Sequence, residues 1–110
     1  MSGGPESSQQ LDVDVNTSGE TATIRLVGEL DVHTAPALVA VLANLLDDGV
    51  RAVEVDAAEL RFCDSSGLQA LVSGRERVLA QGGSLVVSGV HGPVEKVLAI
   101  TGLKALLTAT

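Results

Sequence analysis

Aromatic side chains are almost missing from this chain of 110 residues. It has no Trp and no Tyr, and Phe62 is the single Phe. A core must therefore be built from Leu, Val, Ile and Ala, and 45% hydrophobic residues are enough to build one. Basic residues are also scarce, with 7 Lys and Arg against 14 acids and a formal net charge of -7. Nucleic acid and anionic membranes are both recognised through a basic footprint, so the charge argues against either as a partner. There is one cysteine, Cys63, so no internal disulfide can form, which fits a reducing cytoplasm. Lying in an apolar run, Cys63 reads as a small buried hydrophobe and not as a reactive thiol. No apolar run is long enough to span a bilayer. The first ten residues, MSGGPESSQQ, lack the basic and apolar regions of a signal peptide. Their Gly, Ser, Pro and Gln content predicts a disordered segment over 1–10, followed by one domain over 11–110.

What is present is a clear change of hydrophobic period along the chain. LDVDV (11–15) alternates strictly and reads as a half-exposed strand; TATIRLVGEL (21–30) alternates again after a polar turn. Together they predict an opening β-hairpin. DVHTAPALVAVLANLLDDG (31–49) switches to a helical period, with Leu38, Leu42, Leu45 and Leu46 on one face and Val41 beside them. Thr34 is the predicted N-cap, Pro36 falls in the first turn, and Gly49 stops the helix. RAVEVD (51–56) is a strand that LRFCD (60–64) extends or follows. Residues 66–81 read as a second helix burying Leu68, Leu71, Val72, Val78 and Leu79, ended by Gly82-Gly83. SLVVSGV (84–90) is nearly continuous in apolar character, as strands in the middle of a covered sheet are. GPVEKVLAITG (92–102) is a third helix with Pro93 at its first position, Val94, Val97 and Leu98 inward and Gly102 as its stop. LKALLTAT (103–110) reads as a last short strand. The order predicts a single α/β domain with a mostly parallel sheet after the hairpin. Sites in such sheets gather at the carboxyl ends of strands, which puts Asp31 and Asp64-Ser65-Ser66 at adjacent loops.

The chemistry-bearing stretch is RFCDSSGLQALV (61–72), where an apolar strand turns polar and then helical. Ser66-Gly67-Leu68-Gln69 fits a capping box, with the Ser66 hydroxyl as cap and Gln69 reaching back; a slip of one residue would make Ser65 the cap instead. Three catalytic readings find little support. The G-x-S-x-G elbow of a serine hydrolase is absent, and His33 and His91 are the only histidines available to a triad. No phosphate-cradling G-x-x-x-x-G-K-[ST] or G-x-G-x-x-G is present. Asp31, Asp64 and His33 have no diagnostic metal-ligand spacing. His33 and His91 read as exposed loop residues, and Arg75, Glu76 and Arg77 as a solvated helix face. The remaining reading makes Ser65 a substrate. A phosphate there adds about -1.5 to -2 charges beside Asp64 and at a helix N-terminus, changing the surface without changing the fold.

GELDVHTAP (28–36) followed by LRFCDSSGLQALV (60–72) and GVHGPVEKVLAITGL (89–103) resembles the STAS-domain family, specifically bacterial anti-sigma-factor antagonists. The resemblance runs from about Leu11 to Leu103. It implies a small α/β fold with a mixed sheet and three to four helices packed on it, ending in a further strand and helix that this sequence has little length to supply. It implies a cytoplasmic binding protein with no catalytic residues, cofactor or metal; a monomer is the default expectation, since the sequence does not give the oligomeric state. Its unphosphorylated form would bind an anti-sigma factor that is a Ser/Thr kinase of the histidine-kinase-like ATPase type, freeing a sigma factor. That kinase would phosphorylate Ser65, with Ser66 as a secondary candidate, and a PP2C-type phosphatase would reset the protein. Asp31, Asp64, Ser65, Ser66 and Gly67 match the family's partner-binding positions. The resemblance leaves room for STAS modules that bind without switching, as stressosome-type scaffolds or accessory subunits of lipid or anion transport systems.

Overall fold

The computed structural model describes residues 11–108 of the chain; the segment 1–10, expected to be disordered, lies outside them. Strands β1 (Leu11–Ser18) and β2 (Thr21–Leu30) form the expected antiparallel hairpin, closed at Gly19-Glu20 with Gly19 at φ 61. Then come α1 (Ala35–Asp47), β3 (Ala52–Cys63), α2 (Ser65–Ala80), β4 (Ser84–Ser88), α3 (Gly92–Thr101) and α4 (Lys104–Thr108). The sheet order is β1-β2-β3-β4, with β2, β3 and β4 mutually parallel. It is the mixed, hairpin-opened sheet that the alternation and the element order imply.

One side of the pleat is buried throughout. Ile24 pairs with Val55 and Val55 with Val87, while Ala22, Val53 and Leu85 form the next row. Successive strand residues point to opposite faces, so this register gathers the apolar set on the helix side. Leu38 and Leu42 of α1, Leu71 and Val78 of α2, and Leu98 of α3 close over it, all essentially without solvent exposure. Phe62 is 45% exposed, so the core contains no aromatic side chain.

One open reading is settled and three expectations are corrected. Of the two readings of LRFCD, extension of the RAVEVD strand holds: Ala52–Cys63 is one strand of 12 residues. The alternation fails at Ala57-Ala58-Glu59 because β3 carries two bulges: Arg25 and Val27 pair with Asp56 and Glu59, and Gly28 and Glu29 pair with Leu60 and Phe62. Each bulge inserts one residue and resets the facing, so Leu60 and Cys63 are buried together with Val55. β4 is an edge strand, not a central one; α2 and α4 pack against it. Leu79 is exposed although its spacing suggests burial, because the buried line of α2 runs through Leu68, Leu71, Gly74 and Val78.

Among the described residues the last short segment is a helix and not a strand; residues 109–110 of the expected strand lie outside them. Gly102 adopts the left-handed conformation (φ 77) that ends α3, and the Leu103 amide donates to the Leu98 carbonyl at 3.0 Å. The Leu107 amide then donates to the Leu103 carbonyl at 2.9 Å. Leu103 and Leu107, four residues apart, share a face, and Leu107 is fully buried.

Candidate functional site

β2 and β3 end together. Leu30 and Cys63 are register partners on these parallel strands, so Asp31 and Asp64 leave the same edge of the sheet side by side. Neighbouring strands run about 5 Å apart. The two loops are tied: the Asp64 amide donates to the Leu30 carbonyl at 3.1 Å. Gly67 locks the contact. A Cβ at that position would stand 2.6 Å from the Leu30 carbonyl oxygen and 2.9 Å from the Cys63 Sγ. Only glycine lets α2 begin against the end of β2.

The cap of α2 is Asp64, not Ser66. Its backbone is extended, and its Oδ1 accepts the Gly67 amide at 2.9 Å. This is the N-cap to N3 bond that the capping-box reading gave to Ser66, moved two residues earlier. Ser65 and Ser66 therefore occupy the first two helical positions, and Gln69 does not reach back: its Nε2 donates to the Ser73 hydroxyl at 2.8 Å. The competing assignment of the cap to Ser65 is excluded by the same bond. Ser65 is exposed and Ser66 half-buried.

Asp31 does a comparable job on the other loop. Its Oδ1 accepts the amides of His33 at 2.9 Å and Thr34 at 3.1 Å, and its carbonyl accepts the Ala35 amide at 2.8 Å. Thr34 is the N-cap residue of α1 as expected, but its side chain does not cap the helix. Its buried hydroxyl turns back, donating to the Glu29 carbonyl at 2.8 Å and accepting the Asp31 amide at 2.9 Å. The LDVHTAP segment is thus a closed turn in which Thr34 fixes Asp31 and Asp31 starts the helix.

Burial, and secondarily the charge of Asp64, pushes the Cys63 thiol from its ordinary value of 9.0 up to about 12. At neutral pH it is a protonated, buried packing group beneath the start of α2. The His91 ring is held elsewhere, its Nε2 2.8 Å from the Ala58 carbonyl oxygen. No hydrogen bond joins His33 to Ser65 among the described residues. Among them, too, no group of three or more His, Cys, Asp or Glu is placed to hold a metal, and no helix is long and apolar enough to cross a membrane.

One feature beside the site escaped the sequence reading. A groove of about 490 Å³ runs between the first turns of α1 and α2, lined by Val32, Pro36, Val39, Ser66, Gln69 and Ser73 among others. Val32 is 58% exposed and Val39 38% exposed. The signal was available: up to Asp47, α1 has no charged residue on any face.

The geometry agrees with comparisons to known proteins. The family model described as "Mlab, STAS domain" matches residues 13–108. The anti-sigma-B factor antagonist of Staphylococcus aureus (strain NCTC 8325 / PS 47) is 31% identical over 97 residues, covering 88% of this chain and 90% of that protein. The structure of the anti-sigma factor antagonist SpoIIAA in its unphosphorylated form superposes with a TM-score of 0.78 at 26% identity, covering 90% of this chain and 89% of that one. The Bacillus cell fate determinant SpoIIAA in its phosphorylated form gives 0.70 at 26% identity, over 84% and 85% of the two chains. With a hairpin-opened mixed sheet, acid-ended loops after β2 and β3 and a family match over nearly its whole length, the chain belongs to the STAS-domain family.

Proposed function

We propose that this chain is an anti-sigma-factor antagonist that works by binding and not by catalysis. In its unphosphorylated form it binds a kinase-type anti-sigma factor of the histidine-kinase-like ATPase fold, which releases a sigma factor. Phosphorylation of Ser65 by that kinase ends the binding, and a PP2C-type phosphatase restores it. The observation that carries this reading is the division of labour at the start of α2. Asp64 makes the capping bond, Gly67 makes the close contact, and Ser65 is left exposed on the first helical position. A hydroxyl so placed can be modified without dismantling the fold.

The electrostatics support a switch in an interface. A phosphate on Ser65 adds about -1.5 to -2 charges within one residue of Asp64 and across the paired strand ends from Asp31. The amide end of the 16-residue α2 accommodates part of that charge within the folded protein. A partner already matched to two carboxylates meets a third, doubly charged group, and like charges brought into one interface cost several kcal/mol. The similarity to antagonists in S. aureus and to SpoIIAA, which has structures in both unphosphorylated and phosphorylated forms, supports the same assignment.

Calorimetric titration against each kinase-type anti-sigma factor of the source genome tests the proposal. Wild type and Ser65→Ala should bind one of them equally well. Ser65→Asp should bind roughly a hundredfold more weakly, a loss of about 2.7 kcal/mol. Equal binding by all three forms would instead identify a STAS module that does not switch.

A further inference from the structure

The unpartnered side of α1 is the feature least explained by the switch. A surface helix ordinarily carries charged residues on its solvent face, and a helix apolar all round is normally covered. The buried side of α1 is Ala35, Leu38, Leu42, Leu45 and Leu46; the exposed side is Pro36, Ala37, Val39, Ala40 and Asn44. No charge appears on either side before Asp47. With Val32 on the preceding turn, this face opens into the groove against α2. The groove is continuous with the switch: Ser66, next to Ser65, lines it, and Val32 follows Asp31 directly.

We infer that this groove is the second half of the anti-sigma-factor interface. It takes an apolar ridge of that partner, of the kind an amphipathic helix presents, with basic residues beside it facing Asp31 and Asp64. The inference rests on the reading of the chain as an antagonist. It differs from that reading in assigning affinity to α1 and leaving control to Ser65. Charge decides between a partner of opposite character and a second copy. Two copies joined through this face would bring together two chains that each carry a net charge of -7. Like charges so juxtaposed oppose association, whereas a basic-flanked ridge gains from them. An apolar anchor seated in a pocket, with charges at its rim, is the usual arrangement of strong interface residues.

The test uses Val39→Glu and, independently, Val32→Ser. Both positions are exposed, so thermal melts should stay near wild type. Each variant is titrated against the purified anti-sigma factor that wild type binds, and is then incubated with it and ATP. Val39→Glu should weaken binding at least tenfold and Val32→Ser by a smaller factor, while Ser65→Ala keeps full affinity. Phosphorylation of Ser65 in Val39→Glu should be restored by raising its concentration, because the hydroxyl itself is untouched. Binding by Val39→Glu equal to wild type would overturn the groove assignment and leave the antagonist reading standing. Failure of wild type itself to bind any candidate would overturn both. If Val39→Glu instead converts a dimer of the free protein to a monomer in sedimentation, the occupant is a second copy and the inference is wrong.

Discussion

Replacing Gly67 with Ala probes the contact that holds the two acid-ended loops together. The new Cβ would lie 2.6 Å from the Leu30 carbonyl oxygen, a backbone atom, and 2.9 Å from both the Cys63 Sγ and the Leu30 Cγ. Ordinary contact distances begin near 3.4 Å, so α2 must retreat from β2 by about 0.5 to 0.8 Å. The same Leu30 oxygen accepts the Asp64 amide at 3.1 Å, and that bond lengthens with the movement. Overpacking of this kind costs about 1–3 kcal/mol. Alanine in a helix recovers up to about 1 kcal/mol relative to glycine, less in the first turn. The net expectation is a loss of about 1–2 kcal/mol, read as a lower urea midpoint with an unchanged slope. Gly74→Ala, in the same helix, is the control. Its Cβ would meet only the Cδ1 end of Leu42 at 2.6 Å, which can rotate away, while the gain in helix propensity is similar. Gly67→Ala should therefore be clearly less stable than Gly74→Ala and should also bind the partner more weakly, because Asp64 and Ser65 move relative to Asp31. If Gly67→Ala proves as stable as Gly74→Ala, the close approach of α2 to Leu30 does not govern this site.

The cap assignment gives a second prediction: Asp64→Ala should cost about 1 kcal/mol in chemical unfolding, while Ser65→Ala and Ser66→Ala stay within about 0.5 kcal/mol of wild type. A larger loss for Ser66→Ala than for Asp64→Ala would return the cap to the serine. Cys63 supplies a third. With its thiol pushed up to about 12 by burial and by Asp64, alkylation of the native protein at pH 8 should be at least a hundredfold slower than in urea. The linked stability has a definite sign. The folded protein holds the proton more tightly than the unfolded chain, so this contribution is complete below pH 9 and is lost between pH 9 and about 12. Equal labelling rates with and without urea would show that the thiol is not sealed beneath α2.

Much of this molecule is legible in the sequence because periodicity reports burial. The strict alternation of residues 21–30 and the Leu38, Leu42, Leu45, Leu46 spacing map directly onto β2 and α1. The DSSG stretch is visible because it interrupts an apolar run at the end of a strand, and Asp31 because it stands where the alternation of β2 gives way to a helical period. What periodicity does not report is where the count is broken or what lies next door. The two bulges in β3 erase the alternation at Ala57-Ala58-Glu59, so the sequence leaves open whether LRFCD extends the strand or follows it. The apolar run of β4 looks central although the strand lies at the sheet edge, because α2 and α4 pack against it. By residue type alone, Asp64 and Ser66 are both good caps of α2. The tie from the Asp64 amide to Leu30, which fixes the backbone at Asp64 in an extended form, is a tertiary contact. The role of Thr34 was hidden likewise, since its hydroxyl turns away from the helix it precedes toward the Glu29 carbonyl.

The most direct test of the central claim is intact-mass measurement and peptide mapping of the chain after incubation with the anti-sigma factor it binds and ATP, with binding measured before and after. The account predicts a single added phosphate on Ser65 and loss of binding once it is present. Phosphate on Ser66 instead, or a complex that persists undiminished after Ser65 is modified, would contradict it.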